Sequence, residues 1–283
     1  MTTIQGSERT VAPRALNDIP PFPLVALKAL QVISKENGQL RELSNLITSD
    51  AAISGQVIRM ANSARFGLRV EVHSILHAIH LLGLERIKAL VVTIAMKSYL
   101  GDSLEIPALR ACWRHSLACA VIAEVLGRVS LLEPDVAYTA GLLHDVGRLA
   151  MVAGYPTKYA EFLATAEKEQ CDSLQCERDL FGIDHCEQGR LLVSRWKLPE
   201  TFAAVASRHH DAPVAGEPAV LSIVRQSCRM AVALGFSVVC PAQPRTYQEI
   251  LEEFPERERR QISSDPLELT HFIADKINSI ESE

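Results

Sequence analysis

Two adjacent residues, His144 and Asp145, stand in the otherwise apolar segment AGLLHDVGRL. Either side chain can ligate a metal ion, and burying both in an apolar helix costs free energy unless they are paired or bound. Neighbouring residues on an α-helix diverge by about 100°, so both could reach one ion only at the flank of the helix. The pair is therefore either a metal-binding site or a buried hydrogen-bonded pair.

Four other histidines occur in predicted helices elsewhere in the chain: His115, His185, His209 and His210. Imidazole suits transition metals, and mixed His/Asp sets suit Fe, Mn or Zn in phosphoester chemistry. The helices that carry these residues could converge on a pocket for one or two metal ions. The alternative is a set of unrelated polar caps and core histidines.

The elements that must position these residues are predicted to be helices. Apolar residues recur at helical spacing, and no stretch alternates apolar and polar side chains as a half-buried strand does. Asp50 is placed to cap one helix, and Asn37-Gly38 to end the first. The predicted helices span about 24–36, 40–48, 51–61, 73–82, 84–100, 107–128, 134–153, 156–170, 173–181, 185–195, 199–209 and 217–235, and a helical extension follows.

Composition narrows the class of protein. The chain has 283 residues, of which 48% are hydrophobic, 22% charged and only 5% aromatic, as expected of an all-α domain with an aliphatic core. The formal net charge of -5 argues against a broad nucleic-acid surface. Seven cysteines without a CxxC pair favour free thiols in a reducing cytosol. The apolar stretch 89–96 is too short to span a membrane, so we expect a cytoplasmic location.

The order of several segments resembles the HDOD domain, a degenerate relative of the HD metal-dependent phosphohydrolases. The resemblance covers roughly residues 16–235 and is carried by IPPFPLVALKALQVISKENGQLRELSNLITSDAAISGQVIRMANSARFG, HSILHAIHLLGLERIKALVV, WRHSLACA, AYTAGLLHDVGRLAM, FGIDHCEQGRLLVSRWKLPE and ASRHH. It implies an all-α fold in four parts, namely a flexible arm 1–15, an N-terminal helical subdomain 16–105, an HD-like core 106–235 and a helical extension 236–283.

The resemblance also implies which residues would hold a metal, with Fe, Mn or Zn as candidates. The positions carried over from the catalytic HD relatives are His115, His144, Asp145, His185, His209 and His210. One departure is the further Asp of those relatives, whose position falls on Cys228 or Ser227. A second departure is the absence of the GYP signature after the histidine pair. Arg148 could contact a substrate phosphate, or it could be an exposed charge at a helix end.

HDOD proteins are regarded as signalling modules without demonstrated catalysis. The resemblance and the two departures therefore predict a non-catalytic regulatory module that binds a signalling protein, gated by a metal or a nucleotide. The alternative is a metal-dependent phosphohydrolase that acts on a nucleotide or cyclic dinucleotide. A third reading is a structural metal or a ligand-sensing pocket without turnover. No nucleic-acid or membrane partner is expected, and the protein could form a homo-oligomer.

Overall fold

The all-α architecture predicted from the sequence is confirmed. A computed structural model of the chain describes residues 19–32, 38–63, 67, 69–169, 171–239 and 243–282. Within these ranges the chain forms sixteen α-helices and one 3-10 helix, and no strand. The arm predicted at 1–15 lies outside the described residues. No described helix is both long and apolar enough to cross a lipid bilayer.

The first four helices are α1 (Leu24–Gln31), α2 (Gly38–Thr48), α3 (Ala51–Ala61) and α4 (Ile75–Leu82), and a long fifth helix, α5 (Leu84–Leu100), follows them. Helices α1, α3 and α4 pack against α5, and α2 packs against these three helices. Asp50 caps α3 as predicted, because its Oδ1 accepts a hydrogen bond of 3.0 Å from the Ile53 amide. The predicted end of the first helix is wrong. Helix α1 ends at Gln31, since Val32 is already extended, and Gly38 begins α2.

The second part of the chain surrounds α6 (Pro107–Val129), which packs most extensively against α7 (Pro134–Leu143) and α13 (Ala219–Ala233). A 3-10 helix, Gly101–Glu105, leads into it. The remaining helices are α8 (Val146–Gly154), α9 (Pro156–Glu169), α10 (Ser173–Phe181), α11 (His185–Arg195) and α12 (Glu200–Arg208). Helix α5 also contacts α7 and α8, so it is shared between the two parts.

The helix predicted at 134–153 is in fact two helices. The first ends at Leu143, His144 follows it as the C-cap, and the second begins at Val146. Asp145 lies between them with φ -98° and ψ 22°, outside the helical region. Asp is unfavourable in a helix interior. At the break, the Asp145 side chain contacts His144 on one side and Arg148 on the other.

Gly147, just after this break, permits an unusually close approach of α8 to α11. A Cβ atom at this position would lie 2.0 Å from the His185 carbonyl oxygen and 2.5 Å from the Gly189 amide nitrogen. Only a residue without a side chain fits there. The close approach brings the first turn of α11 beside Asp145.

The predicted C-terminal extension is helical in its described residues. It contains α14 (Tyr247–Leu251), α15 (Glu256–Arg259) and α16 (Pro266–Ser282). The last of these packs on α6, and Lys97 Nζ donates hydrogen bonds of 3.0 and 2.9 Å to the carbonyl oxygens of Ile280 and Glu281. The charged segment 252–260 around α15 contributes no buried residue.

The cysteines only partly follow the prediction of free thiols. Cys171 and Cys176 are paired as a disulfide, so the prediction is wrong for these two. The structure leaves four thiols free: Cys112, Cys119, Cys186 and Cys228. Cys240 lies outside the described residues.

Candidate metal centre

The helix break places His144 and Asp145 in one buried cleft. Both side chains are almost fully buried, and His144 Nε2 lies 3.7 Å from Asp145 Oδ2. A continuous helix would have turned them about 100° apart. The break between the two helices therefore lets both adjacent side chains reach the same cleft.

Three histidines around the cleft are held in the same orientation by backbone carbonyls. The Nδ1 atoms of His115, His144 and His209 lie 2.7, 2.6 and 3.1 Å from the carbonyl oxygens of Phe236, Gly141 and Val205. Each Nδ1–H donates to its carbonyl, so that Nε2 faces the cleft. Metal-ligating histidines in proteins are oriented in this way. Burial lowers the pKa of His144, but the charges of Cys228 and Asp145 outweigh it and raise the pKa to about 9, so a metal ion would displace a proton from its Nε2.

Asp145 is the central anion of the cleft. Its Oδ2 accepts a hydrogen bond of 2.9 Å from Arg148 Nε, and its Oδ1 lies 3.3 and 3.4 Å from the Nε2 atoms of His209 and His185. Burial alone would raise its pKa, but the charges of Arg148, His144 and His185 hold the pKa well below its usual range. The carboxylate is ionised and already paired with a cation.

Arg148 is a buried side chain, which excludes the interpretation as an exposed charge at a helix end. Besides Asp145, it donates to the Tyr159 hydroxyl at 3.1 Å and lies 3.7 Å from Glu177 Oε1. It also lines the cavity beside the cleft. A contact with a substrate phosphate stays a prediction.

Glu177 is a site residue that the sequence reasoning missed. It is fully buried on α10, and its Oε2 accepts hydrogen bonds from His185 Nδ1 at 2.6 Å and from the His185 amide at 2.8 Å. Burial raises the pKa of Glu177, but the charges of His185 and Arg148 outweigh it and lower the pKa to about 2. No sequence motif indicates Glu177, because its partner, His185, is eight residues away on another helix.

The histidine pair at the end of α12 completes one side of the cleft. His209 is buried and His210 is exposed, and the Nε2 of His210 lies 3.1 Å from that of His185. We call His185, His209 and His210 the histidine cluster. Cys186 lies next to it, with a ligand atom within 4.8 Å of theirs.

A second group of ligands lies on the other side of His144. Cys119 Sγ is 3.6 Å from His115 Nε2 and 3.8 Å from Cys228 Sγ. The hydrogen bond from Cys119 lowers the pKa of Cys228 well below its usual range, whereas burial raises the pKa of Cys119. We call His115, Cys119, His144 and Cys228 the Cys2His2 cluster. Cys119 was missed, although its position four residues after His115 on one helix could have revealed it.

The donor atoms fit a cation. His144 Nε2, His209 Nε2 and Asp145 Oδ1 are buried without a hydrogen-bond partner in the described part of the chain. Asp145 Oδ1 and His209 Nε2 lie 3.3 Å apart without the alignment of a hydrogen bond. Buried polar atoms without hydrogen bonds cost free energy, and a metal ion would satisfy all three. Three sets bring ligand atoms within 4.8 Å of one another, namely the Cys2His2 cluster, the histidine cluster with Cys186, and His144 with Asp145 and His209.

A solvent-connected cavity of about 800 Å³ opens onto these residues. Its wall includes three further arginines, Arg225, Arg229 and Arg245. Two of them are engaged by one carboxylate, because Arg229 and Arg245 both pair with Glu253. Arg225 pairs with Glu217. The five predicted site histidines and Asp145 thus surround one cleft, but whether they bind a metal stays a prediction.

Comparisons with known proteins agree with this architecture. A family model described as the HDOD domain matches residues 19–212. A protein of Treponema pallidum (strain Nichols), described as uncharacterized, is 25% identical over 204 residues. That match covers 71% of this chain but only 39% of the relative, so the chain spans less than half of that relative's length.

Solved structures of similar fold come from several bacteria. An HDOD domain protein of unknown function from Geobacter sulfurreducens is 25% identical, with a TM-score of 0.71 and coverage of 94% of this chain and 92% of that one. A Marinobacter aquaeolei VT8 protein, provisionally described as a signal transduction protein, has a TM-score of 0.70 at 20% identity, covering 93% and 58%. A Shewanella amazonensis SB2B protein, provisionally described as a metal-dependent phosphohydrolase, has a TM-score of 0.63 at 23% identity, covering 93% and 92%. The last two show similarity of fold alone.

Proposed function

Since this chain belongs to the HDOD domain family, we propose that it is a regulatory module of signal transduction that acts by binding a protein partner. Metal binding in the cleft gates this activity in our proposal, with Fe, Mn and Zn as the candidate ions. A nucleotide in the adjoining cavity is the other candidate gate. The Marinobacter neighbour's provisional description as a signal transduction protein supports this role.

The state of Asp145 is the observation that carries the proposal. A catalytic metal that activates water needs a coordination position left open to that water. Here Arg148 already neutralises Asp145 within a buried ion pair. By the family resemblance, the further Asp of catalytic relatives is replaced by Cys228 or Ser227. Such a centre is better suited to holding an ion than to turning over a substrate.

The route from the metal to a partner surface runs, in this proposal, through α5. This helix contacts α7 and α8 on either side of His144 and Asp145, and it also contacts α1, α3 and α4. A shift at the helix break would therefore reach the N-terminal helices through packed side chains. We place the partner surface there.

The gating can be tested by hydrogen exchange on the metal-free protein. Addition of Mn²⁺, Fe²⁺ or Zn²⁺ in separate samples should slow amide exchange in α1, α3, α4 and α5, as well as in the helices around the cleft. His144→Ala should abolish the response, and His80→Ala, which removes an exposed histidine of α4, should keep it. A response confined to the helices around the cleft would refute gating through α5.

A metal-dependent phosphohydrolase is the second candidate function. It is favoured by the cavity, whose arginines and exposed His210 could receive a nucleotide or cyclic dinucleotide. The Shewanella neighbour is provisionally described as a metal-dependent phosphohydrolase. In this case the metal would be held by His144, Asp145 and His209, and it would lower the pKa of an attacking water.

Turnover separates the two candidates. Protein loaded with Mn²⁺, Fe²⁺ or Zn²⁺ is incubated with bis(p-nitrophenyl) phosphate and with a cyclic dinucleotide. The regulatory proposal expects the same background rate from wild type and His144→Ala. Hydrolysis that depends on His144 and survives in His80→Ala would instead establish the enzyme.

The proposal also covers the cellular location, the classes of partner and the oligomeric state of the protein. We propose a cytoplasmic location, and neither nucleic acid nor membrane as a partner, since the net charge of -5 provides no attraction to polyanions. A homo-oligomer would be compatible with these expectations. Light scattering across a concentration series would decide the oligomeric state.

A further inference from the structure

The four residues of the Cys2His2 cluster have the composition of a structural zinc site. Two thiols and two imidazoles are brought together, and their ligand atoms all lie within 4.8 Å of one another. We infer that His115, Cys119, His144 and Cys228 form a closed tetrahedral site for Zn²⁺. The inference does not depend on the regulatory role, because the site would hold zinc whether or not the protein binds a partner.

The distances in the cluster agree with tetrahedral zinc. Typical bond lengths of about 2.3 Å for Zn–S and about 2.0–2.1 Å for Zn–N place two sulfurs about 3.8 Å apart and a sulfur and a nitrogen about 3.6 Å apart. The Sγ atoms of Cys119 and Cys228 are 3.8 Å apart, and His115 Nε2 is 3.6 Å from Cys119 Sγ. Two of the six distances between ligand atoms thus already match tetrahedral zinc, and the other four are at most 4.8 Å.

Both histidines of the cluster present the correct nitrogen. The Nδ1–H groups of His115 and His144 are committed to the carbonyl oxygens of Phe236 and Gly141. The Nε2 atom of each ring is thus the one that faces the other ligands. His144 Nε2 is buried without a hydrogen-bond partner in the described part of the chain, and zinc would displace its proton. Carbonyl acceptors behind metal-bound imidazoles fix ring orientation in the same way.

The cluster lies where three helices meet. His115 and Cys119 are four residues apart on α6, so they share one face, while His144 caps α7 and Cys228 lies on α13. These are the helices that pack most closely around α6. An ion bound here would cross-link the core of the fold, as structural zinc does in small domains.

The predicted set differs from the His/Asp set that the family resemblance implied. Asp145 is paired with Arg148, so it is not required as a ligand. Thiolate ligands select Zn²⁺ or Cu⁺ over Fe²⁺ and Mn²⁺. Four protein ligands also complete the tetrahedron and leave no position for a water, which separates this site from a hydrolytic centre.

Two other states could account for the same residues. Cys119 and Cys228 could be joined by a disulfide under oxidising conditions, because their sulfurs are adjacent. Alternatively, a metal could bind His144, Asp145 and His209, with both thiols unused. Each alternative predicts a different response to substitution of the cysteines.

The test combines metal content with the spectrum of the cobalt form. Protein is purified without chelators in a phosphine reductant, and zinc is measured per chain. We expect about one zinc per chain in the wild type and at least a tenfold loss in Cys119→Ser and Cys228→Ser after dialysis against a competing chelator. After replacement by Co²⁺, the wild type should show thiolate-to-cobalt charge-transfer absorption, which each serine variant weakens.

Control variants separate loss of a ligand from loss of the fold. Cys112→Ser removes a buried thiol of α6 outside the cluster, and His210→Ala removes an exposed member of the histidine cluster. Both should keep the zinc and the cobalt spectrum, and far-ultraviolet circular dichroism verifies the helical content of every variant. Asp145→Asn should also keep the zinc, whereas it would lose a metal held by His144, Asp145 and His209.

Three results would overturn the inference. One is zinc retained at wild-type level in both cysteine variants. Another is a cobalt form without thiolate charge transfer. The third is reduced, well-folded protein that takes up no Zn²⁺ on titration, with Cys119 and Cys228 found as a disulfide before reduction. None of these readouts involves partner binding or turnover, so failure here leaves the proposed function to be judged on its own experiments.

Discussion

At the scale of single residues, the cleft is organised by groups that support the predicted ligands. The Glu177 carboxylate accepts hydrogen bonds from the ring and the backbone amide of His185. Backbone carbonyl oxygens accept hydrogen bonds from the rings of three further histidines, His115, His144 and His209. Such outer contacts fix the tautomer and direction of each imidazole before any ion arrives. Removal of one of them should therefore affect the fold and the cleft together.

Glu177→Gln tests the buried carboxylate through its pH dependence. The pKa of Glu177 is lowered from 4.5 to about 2 in the folded protein. A lowered pKa contributes stability above the unfolded value, and this stability is lost as the pH falls from about 4.5 toward 2. We expect the variant to be less stable by about 2–4 kcal/mol at pH 7, and the difference to shrink as the pH falls below 4.5.

Urea unfolding at a series of pH values between 7 and 3.5 measures this difference. Glu167→Gln, at an exposed position of the neighbouring α9, serves as the control and should follow the wild type throughout. A gap between wild type and Glu177→Gln that stays constant with pH would show that the charge of Glu177 is not its cause.

At the scale of elements, the site depends on two features of α8. The break before it brings His144 and Asp145 into one cleft, and Gly147 lets its first turn meet α11. The contact is between backbones, so neither helix can yield by rotating a side chain. The position of His185 relative to Asp145 follows from this contact.

Gly147→Ala should be strongly destabilising. The added Cβ would lie 2.0 Å from the His185 carbonyl oxygen, so α8 and α11 must separate, at a cost of about 3 kcal/mol or more. Gly55→Ala on α3 is the matched control, because nothing lies within 4 Å of its added Cβ. The control should be neutral or more stable by about 0.5–1 kcal/mol, since alanine favours a helix interior.

Thermal and urea unfolding of both glycine variants give the comparison. Equal stability of Gly147→Ala and wild type would mean that the two helices are not as close in solution as the structure places them.

At the scale of the whole molecule, the C-terminal extension is part of the folded body. Four residues of α16 are buried, namely Leu269, Ile273, Ile277 and Ile280. The helix packs on α6, the longest of the described helices. Lys97 of α5 also holds its last turn. The extension should therefore contribute to global stability.

Ile277→Ala measures that contribution. Its side chain is fully buried, so truncation should lower the free energy of unfolding by about 2–5 kcal/mol. Leu267→Ala, at a position that is 68% exposed on the same helix, should change it by no more than about 0.5 kcal/mol. A small effect of both substitutions in urea unfolding would indicate that α16 detaches before the core unfolds.

The sequence by itself determined the helical class, most helix boundaries and the set of residues around the cleft. Helical periodicity and caps such as Asp50 are local signals, so they can be read along the chain. The segments shared with the HDOD domain pointed to His115, His144, Asp145, His185, His209 and His210, and the structure brings all six together.

Only the tertiary structure decided how the site is built. The break after Leu143 and the burial of Arg148 both depend on helices far apart in the sequence. Glu177 carried no recognisable signal, because its partner His185 lies on another helix. The i, i+4 spacing of His115 and Cys119 is visible in the sequence, but it indicates a cluster only when the fold brings Cys228 next to Cys119. Local propensity fixes where helices form, but the contacts between helices decide which side chains meet and what charge each one carries.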